Sequence, residues 1–283
     1  MGRKLWFTIE TVKEIKEGGQ SISFDLGRTF QKPDVRLLSK IPLDKIKENF
    51  VYAWDGKNLL KLALFGENFY KLRMWDGRPI LEIDGLRMQL VKVFKNPMQY
   101  AIEVVQTLAI NSNDTVLDTC MGLGYTAIEA AKKAKEVRTY EISEDVISLA
   151  SWNPWSDELF SFENVFRVNG DIFQEIKKLP GASFSAIIHD PPRFSKAGNL
   201  YSAEFYNELA RVSKPGARLF HYVGSLGKTR GRNIDQEIAS RLQEAGWVIK
   251  KNSLKHQGVY AYLQSKTPVK TQMLKPCANR KRA

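Results

Sequence analysis

The stretch Val116–Ala131, VLDTCMGLGYTAIEAA, has the pattern of a strand, a tight turn and a helix. A short apolar run ends at Asp118, glycines follow at Gly122 and Gly124, and helix-forming residues begin at Thr126. Glycines allow a ligand to approach the backbone closely. In dinucleotide-binding folds the first glycine follows the strand directly, whereas three residues separate Asp118 from Gly122 here. The stretch therefore predicts a ligand site whose acid faces a cationic group rather than a pyrophosphate.

Downstream of this stretch, and for one helix before it, strand patterns alternate with helical patterns from Asn96 to Ser265. Asn96 followed by Pro97 is a favourable helix start, because asparagine caps a helix and proline suits its first turn. This alternation predicts βαβ units, a mostly parallel sheet and the α/β fold class. The last two strand patterns lie in residues 247–264 with no helix between them, which predicts an antiparallel hairpin at the sheet edge.

The two ends of the chain differ from this middle part. Residues 1–95 are rich in short strand patterns, such as LWFTIET (5–11) and SISFDL (21–26), with one short helix expected around residues 43–49. Residues 266–283 are polar, basic and interrupted by prolines, which predicts a flexible tail. The sequence thus predicts a β-rich domain over 1–95, a catalytic domain over 96–265 and a basic tail.

The net charge of +12 is concentrated at the two ends of the 283-residue chain. Residues 1–95 carry 18 Lys and Arg against 12 Asp and Glu, and residues 266–283 carry six basic residues and no acid, so each part has a net charge of +6. Basic ends around a neutral body favour a polyanionic partner such as nucleic acid. No apolar run approaches the ~20 residues of a membrane span. The two cysteines form neither a disulfide framework nor a metal-ligand spacing, so a cytoplasmic, metal-free protein is expected.

Two further acids are predicted at the ends of neighbouring strands. Glu141 ends the strand pattern after the glycine loop, and Asp171 ends the next one. Ligands of open α/β sheets bind outside the carboxyl ends of the strands, and a carboxylate there can accept both hydroxyls of a ribose. Together with Asp118, these acids predict a site for a nucleoside that carries a positive centre.

The segment DTCMGLGYT, residues 118–126, resembles the corresponding motif of class I S-adenosylmethionine-dependent methyltransferases, and the resemblance covers residues 96–265. It implies a Rossmann-like, seven-stranded, mostly parallel sheet with an antiparallel last strand, and S-adenosyl-L-methionine as cofactor. It also implies that Asp118, Gly122 and Gly124 line the methionine part, that Glu141 binds the ribose and that Asp171 lies near the adenine amine. The complete set of expected cofactor contacts is Gln99, Asp118, Thr119, Cys120, Gly122, Gly124, Tyr125, Glu141, Ile142, Asp171, Ile172 and Asp190.

A second stretch, AIIHDPPRFSKAG over residues 186–198, predicts the position of the acceptor. Proline lacks an N–H group and favours an extended residue before it, so Pro191 and Pro192 stop a buried strand and hold a rigid corner. Asp190 and the carbonyl of Pro191 then form two fixed hydrogen-bond acceptors. Two converging acceptors match the two hydrogens of a planar amine, and fixing such an amine beside an activated methyl group would account for most of the catalysis.

This corner resembles the (D/N/S)-P-P-(Y/F/W) motif of methyltransferases that act on exocyclic amines of bases. Arg193 occupies the fourth position, where those enzymes have an aromatic residue, so either Phe194 or the guanidinium of Arg193 is expected to lie on the base. Enzymes that methylate carbon 5 of pyrimidines in RNA also share DPPR, but they use a cysteine nucleophile after the following strand. The equivalent stretch YVGSLGK (222–228) has no cysteine, which favours amine chemistry. The expected catalytic residues are Asp190, Pro191, Pro192, Arg193 and Phe194.

The combination of a β-rich N-terminal part with HDPPRFS is similar to a group of archaeal methyltransferases, and this similarity implies N4 of cytidine in ribosomal RNA as the acceptor, with transfer RNA as another possible substrate. The residues expected to contact RNA phosphates are Lys196, Lys228, Arg230 and Arg232. Four alternatives stay open: a carbon-5 enzyme without the usual cysteine, a small-molecule methyltransferase, an aminopropyltransferase and a non-catalytic RNA-binding protein. Trp152 and Trp155 are expected to pack in the interior, and His189 is given no catalytic role.

Overall fold

In the computed structural model, which describes residues 4–224 and 234–265, the N-terminal part forms two small antiparallel sheets and two helices. One sheet has the order β1-β2-β3 and the other the order β4-β5-β6-β7. The elements are β1 (Leu5–Phe7), α1 (Ile9–Lys16), α2 (Val35–Leu38), β2 (Tyr52–Trp54), β3 (Leu59–Lys61), β4 (Ala63–Phe65), β5 (Phe69–Trp75), β6 (Arg78–Ile83) and β7 (Leu86–Arg87).

Three sequence predictions in this part were wrong in detail. The strand expected over residues 5–11 ends at Phe7, because Thr8 forms a capping box with Thr11 and starts α1. The strand expected over residues 21–26 is reduced to one bridge, between Ile22 and Gln31. The short helix expected around residues 43–49 is a single 3-10 turn, Leu43–Lys45.

The second part alternates strands and helices, as predicted. Helix α3 starts at Pro97, and the side chain of Asn96 caps it by accepting the Met98 N–H at 2.8 Å. The elements are α3 (Pro97–Thr107), β8 (Thr115–Asp118), α4 (Tyr125–Ala131), β9 (Glu136–Glu141), α5 (Glu144–Ser151), α6 (Asp157–Ser161), β10 (Val165–Asn169), α7 (Ile172–Glu175), β11 (Phe184–His189), α8 (Ala203–Val212), β12 (Ser213–Tyr222), α9 (Ile234–Glu244), β13 (Trp247–Ser253) and β14 (Gly258–Leu263).

These strands form one sheet of seven with the order β10-β9-β8-β11-β12-β14-β13. Strands β8 to β12 pair in parallel, whereas β14 is antiparallel to both β12 and β13, which confirms the predicted fold class and the antiparallel last strand. The order along the sheet reverses between β8 and β11. The carboxyl ends of strands beside such a switch point form the usual ligand crevice of open α/β sheets.

The hydrophobic core extends across the boundary between the two parts. One cluster joins Leu72 and Leu81 of the N-terminal sheet to Val104 of α3 and to Ile188 and Phe220 of the large sheet. A second cluster lies on the opposite face of the large sheet, under α8 and α9. The N-terminal part is thus packed against the α3 side of the sheet, where it can form a wall of any crevice at the carboxyl ends.

Candidate cofactor and acceptor site

A cavity lies at the carboxyl ends of β8, β9, β11 and β12, and the N-terminal sheet forms one of its walls. Its charged lining side chains are the carboxylates of Glu141 and Asp190, and none of the described lysine, arginine or histidine residues lines it. Such a lining suits a ligand with a positive centre. The lining residues are Leu81, Ile83, Met88, Gln89, Leu90, Pro97, Tyr100, Cys120, Met121, Gly122, Leu123, Gly124, Tyr125, Thr126, Glu141, Val146, Asp190, Pro191, Pro192 and Tyr222.

The glycine loop forms the floor of this cavity. Gly122 and Gly124 have φ values of 53° and 79°, in the left-handed region that favours glycine. A Cβ atom on Gly122 would meet nothing within 4 Å, whereas one on Gly124 would lie 2.5 Å from Leu159. Gly122 therefore presents bare backbone to open space, and Gly124 is required for the packing of the loop against α6.

Glu141 stands beside the loop, with both carboxylate oxygens oriented by backbone donors. One oxygen accepts the Gly122 N–H at 3.0 Å and the other accepts the Ser143 N–H at 3.1 Å. Burial raises the pKa of Glu141, while these N–H groups lower it. A carboxylate fixed in this way keeps lone pairs for ribose hydroxyls. The anionic lining, the bare loop backbone and this carboxylate fit S-adenosylmethionine.

Asp171 follows β10, the strand next to β9. Its side chain caps α7 by accepting the Phe173 N–H at 2.9 Å, and it does not line the cavity. The two strand ends are nevertheless adjacent, because the Gly170 N–H donates to the Glu141 carbonyl at 2.9 Å. Ile142, the residue after Glu141, is 66% exposed at the same edge.

Four other expected cofactor contacts lie outside the cavity wall. Asp118 is fully buried below the loop, where the hydroxyl of Thr139 donates to it at 2.5 Å and burial raises its pKa to about 7. It therefore supports the loop and does not line the cavity. Thr119 and Ile172 are likewise buried, and the Gln99 amide is directed to Glu103 along the exposed side of α3. Cys120 and Tyr125 do line the cavity.

The acceptor corner lines the same cavity through Asp190, Pro191 and Pro192. The Tyr100 hydroxyl of α3 donates to Asp190 Oδ2 at 3.0 Å. Burial raises the pKa of Asp190 to about 6, and the bond from Tyr100 lowers it. Among the described residues no donor reaches Asp190 Oδ1 or the Pro191 carbonyl, whereas the Pro192 carbonyl accepts the Tyr201 hydroxyl at 3.0 Å. Two adjacent acceptors are thus available to a ligand.

Arg193 and Phe194, the two residues after the prolines, do not line the cavity. The structure therefore places neither of them where the sequence predicted a contact with the acceptor base. Phe194 is 48% exposed and packs edge-on against Tyr201, with ring centroids 5.5 Å apart. Arg193 is exposed, and its guanidinium acts on Tyr222, which does line the cavity, by lowering a pKa that burial raises. Sequence reasoning missed Tyr222 as a site residue, although it is the last residue of the strand beside the corner.

The expected RNA contacts are placed only in part. Lys196 forms an ion pair with Asp84 of the N-terminal part at 3.1 Å, which ties the loop after the corner to that domain. The predictions for Lys228, Arg230 and Arg232 lie outside the described residues. Trp155 donates from its indole to the Leu26 carbonyl at 2.9 Å, and the Trp6 indole donates to the Trp152 carbonyl at 2.7 Å, so both tryptophans join the two parts of the chain.

The described residues contain neither a metal-binding cluster nor a membrane-spanning helix. No group of three or more His, Cys, Asp or Glu side chains in residues 4–224 and 234–265 is arranged to hold a metal ion. Over those same residues, none of the helices has the length and apolar character needed to cross a membrane.

The chain is similar to several known proteins in sequence and in structure. No family model matches the chain. The uncharacterized protein MJ1233 of Methanocaldococcus jannaschii is 42% identical over 226 residues, which are 80% of this chain and 76% of that protein. The 23S rRNA (uracil(1939)-C(5))-methyltransferase RlmD of Aliivibrio fischeri is 30% identical over 163 residues, which are 55% of this chain and 36% of that enzyme.

Among solved structures, spermidine synthase in complex with the transition-state analogue AdoDATO has a TM-score of 0.59 at 15% identity, over 76% of this chain and 79% of that one. This likeness shows the fold. The likeness to the methyltransferase RlmD confirms the predicted enzyme class and its methyl-donor cofactor. The chain is an S-adenosylmethionine-dependent methyltransferase of the class I fold, and it belongs to the family of the Methanocaldococcus jannaschii protein MJ1233.

Proposed function

We propose that this protein transfers a methyl group to an exocyclic amine of an RNA base, with N4 of cytidine in ribosomal RNA as the acceptor. The observation that carries the proposal is that, among the described residues, no donor reaches Asp190 Oδ1 or the Pro191 carbonyl in the wall of the cofactor cavity. Two acceptors match the two hydrogens of an NH2 group and do not match a ring carbonyl, which itself only accepts hydrogen bonds. The ribosomal RNA substrate in the name of the RlmD relative supports RNA as the substrate class.

The residues of the corner would act mainly by positioning. When bound, S-adenosylmethionine supplies a methyl group activated by a sulfonium. Asp190 and the Pro191 carbonyl hold the two amine hydrogens, which directs the nitrogen lone pair away from the corner and into the cavity. Since the pKa of Asp190 lies at about 6, its side chain is a carboxylate at neutral pH and can accept the proton that the amine releases.

Carbon-5 chemistry is the main alternative, because it appears in the name of the RlmD relative. That reaction needs a thiolate nucleophile. Cys120 is the described cysteine that lines the cavity, but burial raises its pKa well above the usual range and the nearby Glu141 carboxylate raises it further, so it stays a thiol. We expect Cys120→Ala to retain turnover. Loss of turnover with normal cofactor binding would favour the carbon-5 reaction.

An RNA substrate also fits the distribution of charge. The cavity is anionic, whereas residues 1–95 and 266–283 each carry a net charge of +6. We propose that these basic parts, with Lys196, Lys228, Arg230 and Arg232, hold the RNA backbone while one base enters the cavity. A base in a duplex would have to leave its helix to reach Asp190.

The experiment is a transfer assay with methyl-labelled S-adenosylmethionine and unmodified ribosomal and transfer RNA, followed by digestion to nucleosides and mass spectrometry. Label on cytidine N4 is the expected result. Label on carbon 5 of a pyrimidine would overturn the amine assignment. If cofactor binds but no RNA is labelled, the RNA substrate is wrong. A parallel arm with spermidine and other polyamines then tests aliphatic amines as acceptors.

A further inference from the structure

The register of two parallel strands brings Tyr222 next to the acceptor corner. Strands β11 and β12 pair residue by residue from Ala186 with Arg218 to His189 with His221. The next residues are Asp190, which directly follows β11, and Tyr222, which is the last residue of β12. Because side chains alternate between the faces of a strand, these two lie on the face opposite to the two histidines. Both Asp190 and Tyr222 accordingly line the cavity.

The surroundings of Asp190 include two aromatic rings and two proline rings. Tyr100, Pro191, Pro192 and Tyr222 all line the cavity there. Burial raises the pKa of Tyr222, and the nearby Arg193 guanidinium lowers it. An aliphatic amine needs no such walls, whereas a planar heterocycle gains from stacking on them.

The sequence motif lacks the aromatic residue that usually follows the two prolines. Arg193 occupies that position and is exposed, while Phe194 turns its ring onto Tyr201, outside the cavity. An aromatic side chain is nevertheless present at the corner, contributed by the neighbouring strand. The contact between Arg193 and Tyr222 links the two positions directly.

We propose that Tyr222 is the side chain on which the acceptor ring stacks, and that the acceptor is therefore a planar base and not an aliphatic amine. This inference rests on the proposed function, since it places the amine of that base on Asp190 and the Pro191 carbonyl. Stacking alone tolerates any base. The two acceptors then select for an exocyclic NH2 group, so Tyr222 supplies affinity and Asp190 supplies the choice of atom.

The test compares Tyr222→Leu and Tyr222→Phe in the full-length protein. Loss of the ring in Tyr222→Leu should raise the KM for RNA by about 5- to 150-fold, which is the effect expected from removing one stacked base. Tyr222→Phe keeps the ring and should stay within about threefold of the wild type. Phe166→Leu is the matched control, since Phe166 is 48% exposed on the edge strand β10, away from the cavity. Cofactor affinity and Tm, measured for every variant, show whether each one is folded.

A second measurement separates this inference from the proposed function. Fluorescence anisotropy gives the affinity for a labelled single strand that contains cytidine, with S-adenosylhomocysteine present and no turnover required. Weaker binding by Tyr222→Leu than by Tyr222→Phe supports stacking. Equal affinity and equal KM in folded variants would overturn it, even if the wild type methylates RNA. If the wild type methylates no RNA, the proposed function fails while anisotropy still decides on Tyr222. Label on spermidine in place of RNA would overturn both.

Discussion

The two faces of the strand pair β11 and β12 differ in how their polar side chains are hydrogen-bonded. His189 and His221 are the last paired residues of β11 and β12, and their rings lie 4.4 Å apart on one face of the sheet. His189 Nδ1 accepts the Thr119 hydroxyl at 2.7 Å, and Nε2 donates to the Leu200 carbonyl at 2.9 Å. Burial lowers the pKa of His189 to about 3, so it is neutral at every physiological pH.

One residue further along the same strands, the other face carries the free acceptors. Each ring nitrogen of the histidines has a partner within the protein, and the Tyr206 hydroxyl bonds His221 Nε2 at 2.8 Å. Asp190 instead lines the cavity, and among the described residues only one of its carboxylate oxygens has a hydrogen-bond donor. Satisfied buried groups stabilise a core, whereas an unsatisfied acceptor at a cavity marks the place of a ligand. The residue type most often used in acid–base catalysis is structural here, and the neighbouring acid is available for chemistry.

The largest effect is expected at the cavity face. Asp190→Ala removes the oriented acceptor and should lower kcat by about 100-fold or more, as the removal of one oriented polar group does in other enzymes. Cofactor affinity should change much less, because the proposed function assigns the acceptor amine to Asp190 and the ribose to Glu141. Single-turnover rates and calorimetric cofactor titrations measure both quantities. Unchanged turnover would remove Asp190 from the mechanism.

A substitution at His189, on the opposite face of the strand pair, should lower the stability of the protein without changing the methyl-transfer reaction. His189→Leu leaves the Leu200 carbonyl without its side-chain donor and removes the shortest hydrogen bond of the Thr119 hydroxyl, at a cost of about 1–3 kcal/mol in the free energy of unfolding for a buried group left unsatisfied. Urea denaturation measures this destabilisation. The pH dependence of turnover should be the same as in the wild type. A changed pH dependence in a variant of normal stability would instead give His189 a part in the reaction.

A smaller effect is expected from the one protein donor to Asp190 among the residues that the structure describes. Tyr100 lowers the pKa of that carboxyl, so Tyr100→Phe should raise it and move the acid limb of the pH–rate profile to higher pH. Turnover should fall about fivefold near neutral pH, the equivalent of one net hydrogen bond, and recover partly in alkali. Tyr70→Phe is a matched control, since its hydroxyl bonds Asn68 in the N-terminal sheet. An acid limb at an unchanged pH would show that Tyr100 only packs.

The smallest effect concerns the basic end of the chain, which lies outside the described residues. Deletion of residues 266–283 removes six positive charges and no negative ones. RNA binding should weaken mainly at low salt, and the log–log salt dependence should become shallower by roughly 0.7–0.9 for each phosphate that the protein no longer neutralises. Affinity measured by filter binding over a salt series tests this. If the truncated and full-length proteins bind RNA equally at every salt concentration, residues 266–283 do not contribute to RNA binding.

Local patterns predicted most of the catalytic domain because each pattern is contained in a few neighbouring residues. The helix start at Asn96 and Pro97, the glycine turn and the final hairpin are all of this kind. The N-terminal part was harder, since its strands are only two to seven residues long and a cap at Thr8 overrides a strand-like composition. Short segments of this type are decided by tertiary packing.

The sequence predicted site residues correctly only where they lie at, or directly after, the end of a predicted strand. Glu141, Asp190 and the glycine loop are in the cavity as expected, whereas Asp118 is one layer below it. Tyr100 and Tyr222 were missed, because their contacts with the corner join residues that are 90 and 32 positions apart in the chain. Such contacts depend on helix placement and strand register, which no local pattern contains.

The central claim is that the carboxylate of Asp190, and neither histidine, governs methyl transfer. The most direct test is the single-turnover rate measured from about pH 5 to about pH 8 with saturating cofactor and RNA. The rate should rise through pH 6, where Asp190 ionises, and then level off, because the protonated acid loses the acceptor that the amine requires. Asp190→Asn should be slow and lose this limb, and His189→Leu should keep it. A flat profile in the folded wild type would contradict the account.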